Sequence, residues 1–122
     1  MKCKVLCYAL KVAYPRVVID IIIGKPMACA FIKRFGDIDG VTRFVNGEIC
    51  GGFMWHTDGS YAMVLPEKYD AHVTFHECLH AATRIWYDAG ADLEVPCNDE
   101  VLTYMMNYLV EQIEEIYNAN QE

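Results

Sequence analysis

The run Val17–Ile23 (VVIDIII) constrains the fold more than any other stretch of the 122-residue chain. It is β-branched and apolar on both faces, with Asp20 the only polar interruption. Such a run suits a central strand. Tyr14-Pro15 reads as the turn that leads into it, and whether Lys4–Val12 forms a separate strand is left open. Gly24 and Pro26 open a short helix, about Pro26–Phe35, with proline in its first turn, and Gly36 closes it. Three strands are expected next: Val41–Val45, Glu48–His56 and Ser60–Leu65. Asn46-Gly47 and Asp58-Gly59 lie between them and are strong hairpin signals. The expectation is an antiparallel meander whose middle strand carries Gly51-Gly52.

The second half reads as helical. Asp70 is a plausible N-cap for a helix running to about Ala89, closed by Gly90. Ala91–Cys97 is a connecting loop, and Asn98 is expected to cap a long helix from about Asp99 to Asn118. Along that helix Leu102, Met105, Leu109, Ile113 and Ile116 step by three and four, as one buried stripe requires. Strands first and helices last predict an α+β layered domain. Its sheet is expected to be small, twisted and mostly antiparallel, packed on the two helices. The length suits a single domain over residues 1–122.

Composition excludes several classes of function. Ten Lys and Arg stand against 17 Asp and Glu, a net charge of -7. Nucleic acid is therefore not the expected partner, since phosphate binding needs a basic surface. The imbalance is concentrated: residues 1–60 hold 8 basic and 5 acidic groups, residues 61–122 hold 2 and 12. Nothing basic follows Arg84. An acidic half reads as a solvated face or as one that attracts a cation. No apolar run approaches the roughly 20 residues of a membrane span. The first apolar run, Val5–Leu10, is too short for a secretory signal, so a cytoplasmic protein is expected. Its six cysteines are expected to be reduced, and no Cys-x-x-Cys pair occurs.

One motif carries chemistry. His76-Glu77-Cys78-Leu79-His80 is an H-E-x-x-H pattern inside a helical stretch. Residues four apart share a helix face, so both imidazoles can aim at one point and hold zinc. Glu77, beside His76, is placed to take a proton from a water that a metal acidifies and to pass it to a leaving group. A catalytic zinc site needs a third protein ligand and one open position. Glu100, 20 residues after His80, is the expected ligand, with Asp99, Asp92 and Glu94 as rivals. A tight helical hairpin would hold Glu100 away from His80, so the loop must run back along the first helix. Seven extended residues, reaching roughly 23–25 Å, allow this.

The neighbours read more plainly. His72 is expected to be a solvated first-turn residue, and His56 is left unassigned. Cys78 turns away from the metal face into the core, and Ala81-Ala82 let the last helix pack closely. Tyr104 lies one turn after Glu100. It is expected to be a half-buried core aromatic, the alternative being an oxyanion donor. Tyr87, Tyr108 and Tyr117 read as packing or surface residues, and Met105-Met106 as core. The strand Gly51–His56 is expected to be either a bent strand of a small sheet or an edge that pairs with an extended peptide.

His76-Glu77-x-x-His80 followed by Glu100 on the next helix resembles the zincin metallopeptidases, more narrowly the gluzincins. It is also similar to small zincin-like proteins carried by phages and mobile elements, and more distantly to ImmA/IrrE-type peptidases. The specific likeness covers about residues 60–113. It implies a twisted sheet over an active-site helix and zinc bound by His76, His80 and Glu100. It also implies Glu77 as general base and acid, with a peptide or protein as substrate. Residues 1–122 are expected to depart from the family pattern, since they hold no counterpart of the extra domain that walls a peptidase cleft. They also lack a downstream histidine or arginine for the transition state, and the third histidine of the metzincins. The alternative reading is a non-catalytic zinc-binding regulatory module on the same scaffold.

Overall fold

The computed structural model describes residues 7–12, 17–57, 60–88 and 96–120, of which 55–57, 96–99 and 101 are described by their backbone alone. The elements run β1 (Tyr8–Val12), β2 (Val17–Ile23), α1 (Gly24–Phe35), α2 (Asp39–Val45), β3 (Gly52–Thr57), β4 (Ser60–Leu65), α3 (Ala71–Asp88) and α4 (Pro96–Ala119). The strands form one sheet in the order β1-β2-β4-β3. β1 pairs antiparallel with β2, with Leu10 opposite Ile19. β3 pairs antiparallel with β4, with Phe53 opposite Met63. β2 and β4 run parallel, with Ile21 opposite Met63. The class is therefore α+β with a mixed sheet.

The period-two alternation of the strands divides two cores. Ile19, Ile21, Tyr61, Met63 and Leu65 face α3 and α4, where Cys78, Ala81, Ala82, Ile85, Leu109 and Ile113 meet them. Ile22, Ala62 and Val64 face α1 and α2, against Met27, Ala28, Phe31, Val41 and Phe44. Helices thus cover the sheet on both sides, which is why β2 is apolar on both faces. Ile19, Ile21 and Ile22 are fully buried.

Three expectations need correction. Val41–Val45 is not a strand but the core of α2. Val41 and Phe44, three apart, both bury against α1, and over five residues that spacing competes with alternation. Asn46-Gly47 does not turn a hairpin; it ends α2, with Gly47 at φ +81° in the left-handed region that helix ends favour. The meander accordingly shrinks to the β3–β4 hairpin, whose turn at 58–59 lies outside the described residues. Asn98 does not cap the last helix, because α4 begins at Pro96, a residue suited to a first turn.

The helical hairpin agrees with its sequence signals. Asp70 caps α3, its Oδ1 accepting from the Val73 N–H at 3.1 Å. The Tyr69 hydroxyl donates to Glu114 Oε2 at 2.9 Å, and the Tyr117 hydroxyl donates to the Pro66 carbonyl. These bonds tie the start of α3 to the end of α4, so the helices run antiparallel. Cys78, Ala81 and Ala82 are fully buried between them and the sheet, as expected. In α4 the buried line is Met105, Leu109, Ile113 and Tyr117, with Leu102 and Ile116 half-buried at its edges.

Candidate metal and hydrolytic centre

α3 carries the motif with its inner face in the core and its outer face in solvent. His76 and His80 are both exposed, and their Nε2 atoms lie 3.1 Å apart. Two imidazole nitrogens held tetrahedrally at about 2.0–2.1 Å from one zinc lie about 3.3 Å apart. The pair therefore fits two ligand positions of such a site with almost no adjustment. The two rings meet edge to face, and the direction of the hydrogen bond between them depends on the tautomer. Glu77, between them in sequence, is only 6% exposed. Burial pushes its carboxyl above the ordinary range, while the His76 and His80 imidazoles pull it back down.

The histidines and Glu77 open into a cleft of about 720 Å³. Its opposite wall is Gly51 and the first three residues of β3, Gly52–Met54, and among the described residues β3 is an edge strand. Gly51 allows this approach. A Cβ there would sit 2.6 Å from Val73 Cγ1, 3.0 Å from the Val64 carbonyl oxygen and 3.5 Å from Glu77 Cγ. Any side chain at 51 would thus push β3 off the motif helix. Thr83, Arg84 and Tyr87 continue the lining past His80. A smaller hollow of about 340 Å³ shares Gly51, His76 and Glu77 and adds Cys50, His72 and Val73.

Other expected site residues fall elsewhere. Glu100 is exposed in the second turn of α4. Counting about 100° per residue, it lies nearly opposite the line Met105–Leu109–Ile113, on the side of the exposed Tyr104 and Tyr108. Among the described residues, no three His, Cys, Asp or Glu side chains gather as a metal-holding group. His76 and His80 therefore meet without Glu100. Tyr104 is 67% exposed and not a half-buried core residue, so that expectation is corrected. The Tyr108 hydroxyl donates to the Lys11 carbonyl. His72 is exposed in the first turn of α3, as expected. The His56 and Asp99 side chains lie outside the described set, as do Asp92 and Glu94 entirely.

In the sequence Thr83 and Arg84 carry no assigned role and Tyr87 reads as a packing or surface residue, whereas all three line the cleft. The signal was present: Arg84 follows His80 by four, and Thr83 and Tyr87 follow His76 and His80 by seven. Comparison with known proteins found no matching family model, no matching curated protein and no matching solved structure.

Proposed function

We propose that the chain is a minimal zincin-type metallopeptidase that hydrolyses a peptide bond of a cytoplasmic protein or peptide. The observation that carries this reading is the pair of Nε2 atoms 3.1 Å apart beside a buried carboxylate, facing an edge strand. A zinc ion held by His76 and His80 would supply Lewis acidity and a water acidified to near neutrality. Glu77 would act as general base and acid, accepting a proton from the attacking water and passing it to the departing amine. Burial suits Glu77 to this work, because a carboxyl with a raised pKa is a stronger base once ionised. The outer edge of β3, unpaired among the described residues, would offer backbone N–H and C=O groups to an extended substrate and hold it across the cleft.

Glu100 is retained as the proposed third ligand. The cytoplasmic setting accords with the free thiols at Cys7, Cys29, Cys50 and Cys78. No described helix is long and apolar enough to cross a membrane.

The outward position of Glu100 favours a second reading, in which the histidine pair serves a non-catalytic zinc-binding module of the kind phages and mobile elements carry. Glu77→Gln separates the two. Under the first reading the variant keeps zinc and loses all hydrolysis of a denatured-protein substrate. Under the second, it leaves the biological effect of the protein intact.

A further inference from the structure

The cleft runs past His80 to a wall made by Phe53, Arg84 and Tyr87. Arg84 and Lys68 are the only cations in residues 61–122, and the two stand at opposite ends of α3. The Arg84 side chain is 54% exposed, and its Nε donates to Asp88 Oδ2 at 3.1 Å. Asp88 is itself held from the sheet: the hydroxyl of buried Tyr61 donates to the same Oδ2 at 2.6 Å. The Tyr61 ring stacks on Phe53 at 5.2 Å, and Phe53 belongs to the cleft wall. A chain of contacts from β3 through Tyr61 and Asp88 thus orients a guanidinium at the rim of the cleft, in a half that is otherwise strongly acidic.

Resting on the metallopeptidase reading, we propose that Arg84 is a specificity-determining residue that selects substrates bearing a carboxylate. A guanidinium recognises that group through paired, charge-assisted hydrogen bonds. The acidic surface around it repels such a substrate elsewhere, so the preference is local to this end of the cleft. Arg84 lies one helical turn, about 6 Å, beyond His80. An extended peptide advances about 3.3–3.6 Å per residue, so the carboxylate falls about two residues from the bond to be cut.

The direction of the chain decides which carboxylate this is. Gly51 lies against Val73 and Glu77, while Phe53 leads through Tyr61 to Asp88, so β3 and α3 run in the same sense. A substrate antiparallel to β3 places residues on the amino side of the cut near Arg84, and the carboxylate is then an acidic side chain. A parallel substrate places its carboxyl terminus there instead.

The test uses the zinc-supplemented Glu77→Gln protein, which binds without cutting, with and without Arg84→Met. Three peptides are titrated by NMR: acetyl-Glu-Ala-Phe-Ala-amide, acetyl-Gln-Ala-Phe-Ala-amide, and acetyl-Gln-Ala-Phe-Ala with a free carboxyl terminus. The Glu peptide is expected to bind about tenfold tighter than the neutral one, and the ratio is expected to fall to about one in Arg84→Met. A preference for the free carboxyl terminus that Arg84→Met abolishes also supports the proposal and reverses the substrate. Equal binding of all three peptides, a preference that survives Arg84→Met, or no saturable binding overturns it. Metal content measured on the same samples reports separately on the zinc site, so its failure is distinguishable from failure of carboxylate selection.

Discussion

Gly51→Ala tests whether β3 sits against the motif helix as closely as the cleft requires. The added methyl would lie 2.6 Å from Val73 Cγ1 and 3.0 Å from the Val64 carbonyl oxygen. Carbon atoms prefer about 3.5–4.0 Å, so β3 and α3 must separate by roughly 1 Å at this point. Val73 is stiff at χ1, and the Val64 oxygen belongs to backbone within β4, so neither neighbour gives easily. Overpacking of this kind costs about 1–3 kcal/mol. At about 4 °C per kcal/mol for a domain of this size, Tm should fall by roughly 4–12 °C. Adding Val73→Ala removes the 2.6 Å contact and should recover part of that loss relative to Val73→Ala alone. Thermal unfolding followed by circular dichroism measures all four proteins. A Gly51→Ala protein within about 0.3 kcal/mol of the parent would refute the close approach, and with it the account of the cleft.

Other consequences follow from the packing and the titratable groups. Leu109→Ala empties a fully buried site between α4 and the sheet and should cost about 2–5 kcal/mol in urea melts. Burial raises the Cys78 thiol to about 12, so native protein at pH 8 should alkylate at exposed Cys29 and Cys50 and spare Cys78; mass spectrometry reads the sites. Burial and the Glu114 carboxylate raise the Tyr69 hydroxyl from 10 to about 12. Its contribution to stability is therefore complete below pH 10 and lost as pH rises toward 12. Tyr69→Phe should flatten the fall in stability across that window, and an unchanged slope would sink the assignment.

What was legible in the sequence follows the length of each signal. Val17–Ile23 had to be an inner strand, because six apolar residues interrupted only by Asp20 need cover on both faces, and β2 has helices on each side. The motif helix was legible from Asp70 onward, because capping, apolar spacing and the histidine pair all agreed over 18 residues. Val41–Val45 was not: five residues with two buried positions fit a strand or a helix equally, and packing on α1 decided it. The parallel β2–β4 pairing was hidden for a different reason. Sequence neighbours suggest hairpins, whereas this contact joins residues about 40 apart. At the site, the spacing of His76 and His80 was local geometry and therefore readable. The position of Glu100 depended on where α4 starts and how it is rotated, and those follow from the hairpin and the Met105–Leu109–Ile113 line.

The central claim is that His76 and His80 hold a metal for Glu77 to work beside. Its most direct test is the zinc content of the purified protein after zinc addition and gel filtration, run beside three variants. The account predicts about one zinc per chain, lost in His76→Ala and in His80→Ala and kept in Glu77→Gln. A parent protein that retains no zinc, or zinc that persists in both histidine variants, would contradict it.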